Sequence, residues 1–336
     1  MPLATNNPTL SDLGKRLDPD GSIADVIEIL NQTNEILEDM TWVEGNLPTG
    51  HRTTVRTGLP QPTWRKLYGG VQPTKSTTVQ VTDNCGMLED YAEVDKALAD
   101  LNGNTAAFRL SEDRAHIEGI AQEMAQTVFY GNEGTAPAEF TGLAPRYNSK
   151  SAPNAECIID AGGTGSDNTS IWLCVWSPLT GHGIYPKGSK AGLSMTDKGQ
   201  VTVENVDGAG GRMEAYRTHY KWDAGLTIRD WRSFIRIANI DVSALTTDGT
   251  AADRATAQKA LIDRMVEASE RVRNAGAGRA VWYVNRTIRE NLRKGILEKT
   301  AANLTWESVE GKRVMTFDDI PVRRVDALVS TEARVV

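Results

Sequence analysis

No apolar run in this sequence approaches the roughly 18 residues that a bilayer-crossing helix needs, and its first residues lack the basic flank and apolar core of a secretion signal. Nothing in it calls for a membrane, so the chain is expected to stay where it is made. Cysteine is scarce. Cys85, Cys157 and Cys174 are an odd set without C-x-x-C spacing, which argues against a zinc ribbon or a disulfide framework and suits a reducing cytoplasm. The four histidines, His51, His116, His182 and His219, fall in no ligand spacing such as H-E-x-x-H, and no serine sits in a G-x-S-x-G elbow. Glycine clusters at 162–166 and 208–212 fit neither the P-loop nor the dinucleotide fingerprint and read as loop tips. Asp318 and Asp319 read as a turn rather than an acid-base pair. No catalytic, cofactor-binding or metal-ligating residue is assigned, and the expectation is a protein that is not an enzyme.

Charge of one sign is also missing over long stretches. From Leu17 through His51 there is no Lys or Arg, while eight acids accumulate, Glu35, Glu38 and Asp39 among them. From Asn46 to Thr82 there is no acid in 37 residues, while Arg52, Arg56, Arg65, Lys66 and Lys75 supply five bases. The sign reverses again at Asp83, with Glu89, Asp90, Glu93, Asp95 and Asp100 following against a single Lys96. A net charge of −7 disfavours high-affinity, sequence-specific DNA binding. The blocks make most physical sense if each meets its complement on another surface, and self-assembly is the natural outlet. From charge alone, a solvated loop or a phosphate-binding patch remains an alternative.

What the basic stretch does contain is turn-formers and β-formers. Gly50, Gly58, Pro60, Pro62, Gly69, Gly70 and Pro73 interrupt any helix, and TTVR (53–56) and TTVQV (77–81) favour strands, so a long β-hairpin is expected. It has too few apolar residues for a core of its own and should project and dock elsewhere. Trp64, Leu67 and Tyr68, near its middle, would be costly to leave bare without a partner.

Elsewhere the periodicities are ordinary ones for an α+β chain whose 336 residues favour two or three lobes over one globule. Residues 1–21 read as a polar tail, and Ser22 caps an acidic amphipathic helix to residue 40 with Ile23, Val26, Ile27, Leu30 and Leu37 on one side. Ser111 is expected to start a second helix, about 112–130, with Ile117, Ile120, Ala121, Met124 and Val128 on its apolar face. His116 within it should face solvent or a hydrogen-bond partner. Residues 132–170 and 181–211 are loop-rich, the latter with possible hairpins. The run 171–176 is a strand buried on both faces, and 216–220 and 233–240 alternate as sheet. Leu261, Met265, Ala268 and Val272 mark a helix, followed by a core strand at 279–284, a helix at about 287–298 and strands at 314–317 and 322–329, with Pro321 at an edge or a strand start.

The strings TNEILEDM (33–40), GNLPTGHRTTVRTGLP (45–60), CGMLE (85–89), AEVDK (92–96), LNGNTAAFR (101–109) and IPVRRVDAL (320–328) resemble the major capsid proteins of short-tailed, double-stranded DNA bacteriophages over nearly the whole chain. The resemblance implies the Hong Kong ninety-seven type capsid fold. It assigns 1–44 to an N-terminal arm, 45–83 to the projecting E-loop, 84–170 to a peripheral domain with its spine helix, and 171–336 to an axial domain with returning peripheral strands. It further implies hexamers and pentamers of this chain in an icosahedral virion capsid, assembled in the bacterial cytoplasm around DNA contacted non-specifically. A separate scaffold protein, a portal and a decoration or cement protein would be its partners, with no cofactor. Candidate intersubunit contacts are Arg52, Arg56, Trp64, Arg65, Lys66, Leu67, Tyr68 and Lys75 on the hairpin and Glu35, Glu38 and Asp39 on the arm. An encapsulin-like compartment is the same-fold alternative, and a nucleotide-binding or hydrolytic enzyme the remote one.

Overall fold

The computed structural model describes residues 32–103, 105–204, 210–246, 251–297, 304–309 and 312–336. Its strands are β1 (Trp42–Glu44), β2 (Gly50–Gly58), β3 (Thr77–Asn84), β4 (Gly86–Asp95), β5 (Ile158–Asp160), β6 (Asn168–Trp176), β7 (Gly181–Tyr185), β8 (Ser194–Glu204), β9 (Arg212–Ile228), β10 (Phe234–Asp241), β11 (Arg279–Val284), β12 (Leu304–Val309), β13 (Lys312–Phe317) and β14 (Ile320–Arg324). The long helices are α1 (Thr105–Tyr130), α2 (Ala251–Arg271) and α3 (Arg286–Leu297).

The apolar run of β6 sits where its composition demands. It lies inside a seven-stranded mixed sheet of order β12-β13-β14-β11-β6-β10-β5, and every one of its residues is buried. Trp172, Trp176, Trp282, Tyr283 and Phe234 fill the core around it, joined by Leu261, Met265 and Ala268 of α2 and Ile288 and Leu292 of α3. Each fully buried side chain of this size contributes on the order of 2 kcal/mol or more. Between β13 and β14, Asp318 and Asp319 form a two-residue turn with φ of 49° and 63°, left-handed geometry that aspartate tolerates.

A second sheet is organised by β9, whose 17 residues pair with β4 on one edge and with β8 and then β7 on the other, β1 adding in parallel beyond β7. Helix α1 crosses its inner face. The Tyr220 hydroxyl donates to Asp113 at 2.5 Å, Arg109 pairs with Asp197 at 2.7 Å, and His116 meets Asp90 at 2.5 Å. The carboxyl end of α1 continues into the first core, where Met124, Val128 and Phe129 lie in the same cluster as β6. One helix thus ties the two sheets together.

Several expectations need correction. Helix α1 starts at Thr105, not near Ser111; helix-favouring Ala106 and Ala107 carry it further back, and Thr105 is held by a 2.8 Å bond to Asp100. Ile117 is 39 % exposed instead of buried. The span 181–211 holds β7 and the whole of β8 where loops with possible hairpins were expected, 132–170 includes β5, and the whole of β4 was missed because its charged residues masked its alternation. Strand β14 is shorter than 322–329, with Pro321 at its start. Of the acidic helix 22–40, residues 22–31 lie outside the described residues, and the described part holds only a short turn, Ile36–Asp39. Of the glycine cluster at 208–212, residues 208 and 209 lie outside as well.

Candidate assembly hairpin

The acid-free stretch does form a hairpin. Strands β2 and β3 pair antiparallel from Gly50 opposite Asn84 to Gly58 opposite Thr77, with an irregularity between Arg56 and Gly58. Residues 59–76 make the tip. Almost every hairpin residue is exposed, Val79 and Val81 included, so it adds little to either core.

Its root is fastened by polar contacts. The Asn46 side chain brackets Arg52, donating to its carbonyl and accepting from its amide, both at 2.7 Å. Asp83, the first acid after the basic stretch, is buried and paired with Arg146 at 2.9 Å, and Arg146 also donates to the carbonyls of Thr141 and Leu226. Gly50 is required there, because a Cβ would stand 2.1 Å from the Asp83 carbonyl oxygen. His182 on β7 is 1 % exposed, and its ring meets that of His51 edge-on at 5.8 Å. Burial, with His51 and Arg229 nearby, pushes His182 down to about 4, and burial lowers His51 too. Thr53 and Thr227 also bury hydroxyls without partners near this point. None of Asn46, Asp83, Arg146 or His182 was singled out from sequence; only Asp83 carried a signal, as the acid that ends the basic block.

The tip presents what the root does not. Trp64 and Tyr68 are as exposed as in an extended peptide, at 101 % and 106 %, and Leu67 is 85 % exposed. A turn closed by the Gly69 amide on the Lys66 carbonyl at 3.0 Å holds Tyr68 at φ 62°, a left-handed conformation disfavoured for a bulky side chain. Arg52, Arg56, Arg65, Lys66 and Lys75 are all exposed, and among the described residues none of them pairs with a carboxylate. The Arg52 guanidinium donates a 3.2 Å hydrogen bond to Thr82. The structure therefore brings these five bases and the aromatic cluster onto one exposed element, with no carboxylate partner for the bases among the described residues.

The three arm acids behave differently from one another. Asp39 is buried, bonded to Arg279 at 2.6 Å and to the Tyr283 hydroxyl at 3.2 Å, and near Arg323. Burial raises its pKa against the pull of Arg323 and Arg279. Glu35 pairs with Arg323. Both have partners within the chain, because the turn Ile36–Asp39 inserts into the core beside β11. Glu38 alone stays exposed.

Residues 18–336 match the family model described as major capsid protein GP7. The chain belongs to that family. A solved structure of bacteriophage epsilon15 is 39 % identical, with a TM-score of 0.79 over 100 % of this chain and 99 % of that one. The capsid of bacteriophage JBD30 is 10 % identical with a TM-score of 0.47, covering 89 % of this chain and 92 % of that one. An encapsulin of Synechococcus elongatus PCC 7942 is 11 % identical with a TM-score of 0.46, covering 68 % and 94 %. No curated protein sequence matches the chain. The GP7 family member described here is thus a major capsid protein of tailed phages with the Hong Kong ninety-seven type fold, a structural subunit of an icosahedral shell and a component of the virion.

Proposed function

We propose that this capsid protein assembles as hexamers and pentamers whose basic hairpin, the E-loop, lies across the adjacent subunit, and that the shell so formed encloses packaged double-stranded DNA. The observation that carries the reading is the combination on one element of five bases without ion-pair partners among the described residues and three bare apolar side chains. Charge on an exposed loop steers encounter and fixes register, whereas aromatic side chains buried on docking supply most of the affinity. Without a neighbour this arrangement exposes apolar area for no gain in the subunit. In the same reading 1–44 is the N-terminal arm, the β4-β9-β8 sheet with α1 belongs to a peripheral domain, and the seven-stranded sheet forms the axial domain. Assembly takes place in the host cytoplasm with a separate scaffold protein and a portal, and a decoration protein binds outside.

Reversing two bases near the root, Arg52→Glu with Arg56→Glu, tests it. Co-expression with the neighbouring structural genes should yield folded subunits but at least ten-fold fewer closed particles by negative-stain electron microscopy. Normal shells would sink the proposal.

A further inference from the structure

Helix α3 is basic on the side that the core does not cover. Its 12 residues hold Arg286, Arg289, Arg293 and Lys294 against a single acid, Glu290, and that acid is paired with Lys294 at 2.7 Å. The three arginines follow one another at steps of three and four and so share one face. The opposite face is built into the fold. Ile288 and Leu292 are 0 % exposed, and a Cβ on Gly295 would stand 2.6 Å from the side-chain amide nitrogen of Gln258 on α2, which donates to the Asn291 carbonyl at 2.5 Å. Arg286 and Arg293 are exposed and Arg289 is half-buried, and neither Arg286 nor Arg289 forms an ion pair with a carboxylate among the described residues.

The strip stands against local preference. The Asn285 side chain caps α3 by accepting from the Ile288 amide at 2.8 Å, and the positive end of the helix dipole favours acids in the turn that follows. Arg286 is instead the first residue of the helix, and the first turn holds no acid. A local rule broken without a carboxylate in the described chain to offset it points to a partner outside the subunit.

The make-up of the face says which kind. The hairpin tip sets bases beside bare Trp64, Leu67 and Tyr68, as docking between protein copies requires, whereas no described residue of the α3 face is an exposed large apolar side chain. Charge without apolar anchors suits a phosphate backbone, to which arginine offers forked donors and where affinity comes from neutralised phosphates. From Arg286 to Arg293 the helix rises about 10 Å, a length over which one strand of a duplex presents about three phosphates. The net charge of −7 makes the surface as a whole repel DNA, so contact has to form at a local strip of this kind.

We propose that α3 faces the inside of the shell and that Arg286, Arg289 and Arg293 hold the backbone of the outermost packaged DNA without reading its sequence. This rests on the reading that the shell encloses double-stranded DNA.

Photo-cross-linking in DNA-filled particles decides it. A benzophenone side chain in place of Glu290, exposed one turn on from Arg286, should attach DNA to the chain on irradiation, at a yield at least ten-fold above the same side chain in place of Tyr68 on the hairpin. Adducts from position 290 to a second copy of the chain would overturn the proposal and give the strip to a neighbour. Filled particles without a DNA adduct would overturn it alone, whereas particles that form but never hold DNA would remove the reading of an enclosed genome along with it. As a second readout, Arg286→Gln with Arg289→Gln should leave the number of closed particles unchanged and lower the DNA adduct from position 290 at least five-fold; an undiminished yield would count against the arginines. The first readout keeps all three arginines, so it stands whether or not that variant folds.

Discussion

At the carboxyl end of the chain, Arg236 and Glu332 form an ion pair at 2.9 Å with both side chains buried, while on the hairpin five exposed bases have no carboxylate partner among the described residues. The buried pair is saturated from within. Arg236 donates to the Tyr147 carbonyl at 2.7 Å and lies over the Trp172 ring, and Glu332 accepts from the Tyr130 hydroxyl at 2.5 Å and from Ser170. The charges of this pair are enclosed and multiply bonded, whereas the charges that we propose serve assembly are held out on an exposed element that adds little to either core. The comparison can be broken by experiment, because it assigns opposite effects on subunit stability and on assembly to the two sets.

The largest expected effect is at the buried pair. Glu332→Ala leaves the Arg236 guanidinium enclosed without its counter-charge and should cost the dissociated subunit about 3–5 kcal/mol in urea denaturation. It also releases Tyr130, whose hydroxyl Glu332 holds at 2.5 Å. A loss under about 1 kcal/mol would show that water reaches the site and that the contrast with the hairpin is false.

The hairpin root is intermediate: it belongs to the fold but controls the assembly element, and acid probes it. His182 titrates near 4 in the folded chain and near 6.5 when unfolded, so between these values the unfolded state binds the proton and the folded state does not. Stability contributed by neutral His182 is therefore lost as pH falls from about 6.5 to about 4, and returns as pH rises. Between pH 7 and pH 5 the loss from this residue is about 2 kcal/mol. His51, lowered in the same direction, adds to it. Asp83 and Arg146 beside the root are paired with each other, and Arg229 and the Ser177 carbonyl also face His182. His182→Gln should flatten the stability profile over this range, measured by denaturation at each pH; a variant that keeps the full wild-type slope would remove His182 as the cause.

How much of this could be read from the sequence follows the same division. The hairpin was legible because sign blocks and turn-formers are local: the absence of acids from 46 to 82 is visible without any fold, and Trp64, Leu67 and Tyr68 are exposed on it. Strand β6 was legible for a similar reason, as a continuous apolar run. Strand β4 was not, since Glu89, Asp90, Glu93 and Asp95 suggested a solvated segment, whereas in the sheet Glu89 meets His219 and Lys221 of β9 and Glu93 pairs with Arg217. Asp39 misled in the opposite sense: in an acidic block it looked available, but Arg279 and Arg323, some 240 to 280 residues away, claim it. Long-range pairing of charges is what sequence reading lacked, both for the missed strand and for the partners of the arm acids within the chain.

The smallest effect on the subunit is expected at the tip, where it should sharpen the contrast most. Trp64→Ala with Tyr68→Ala removes side chains that are fully exposed in the subunit, so the denaturation midpoint of the subunit should move by less than about 0.5 kcal/mol in free energy. Tyr68→Gly should leave stability level or raise it slightly, because glycine occupies φ 62° without the steric cost that tyrosine bears. If the strain and the bare rings exist for a neighbour, both variants should assemble poorly while folding well, with the double alanine variant the worse by particle counts. Equal loss of fold and of assembly would instead place the tip inside the subunit's own packing, and full assembly by the double variant would leave the five bases as the hairpin's only claim on its neighbour.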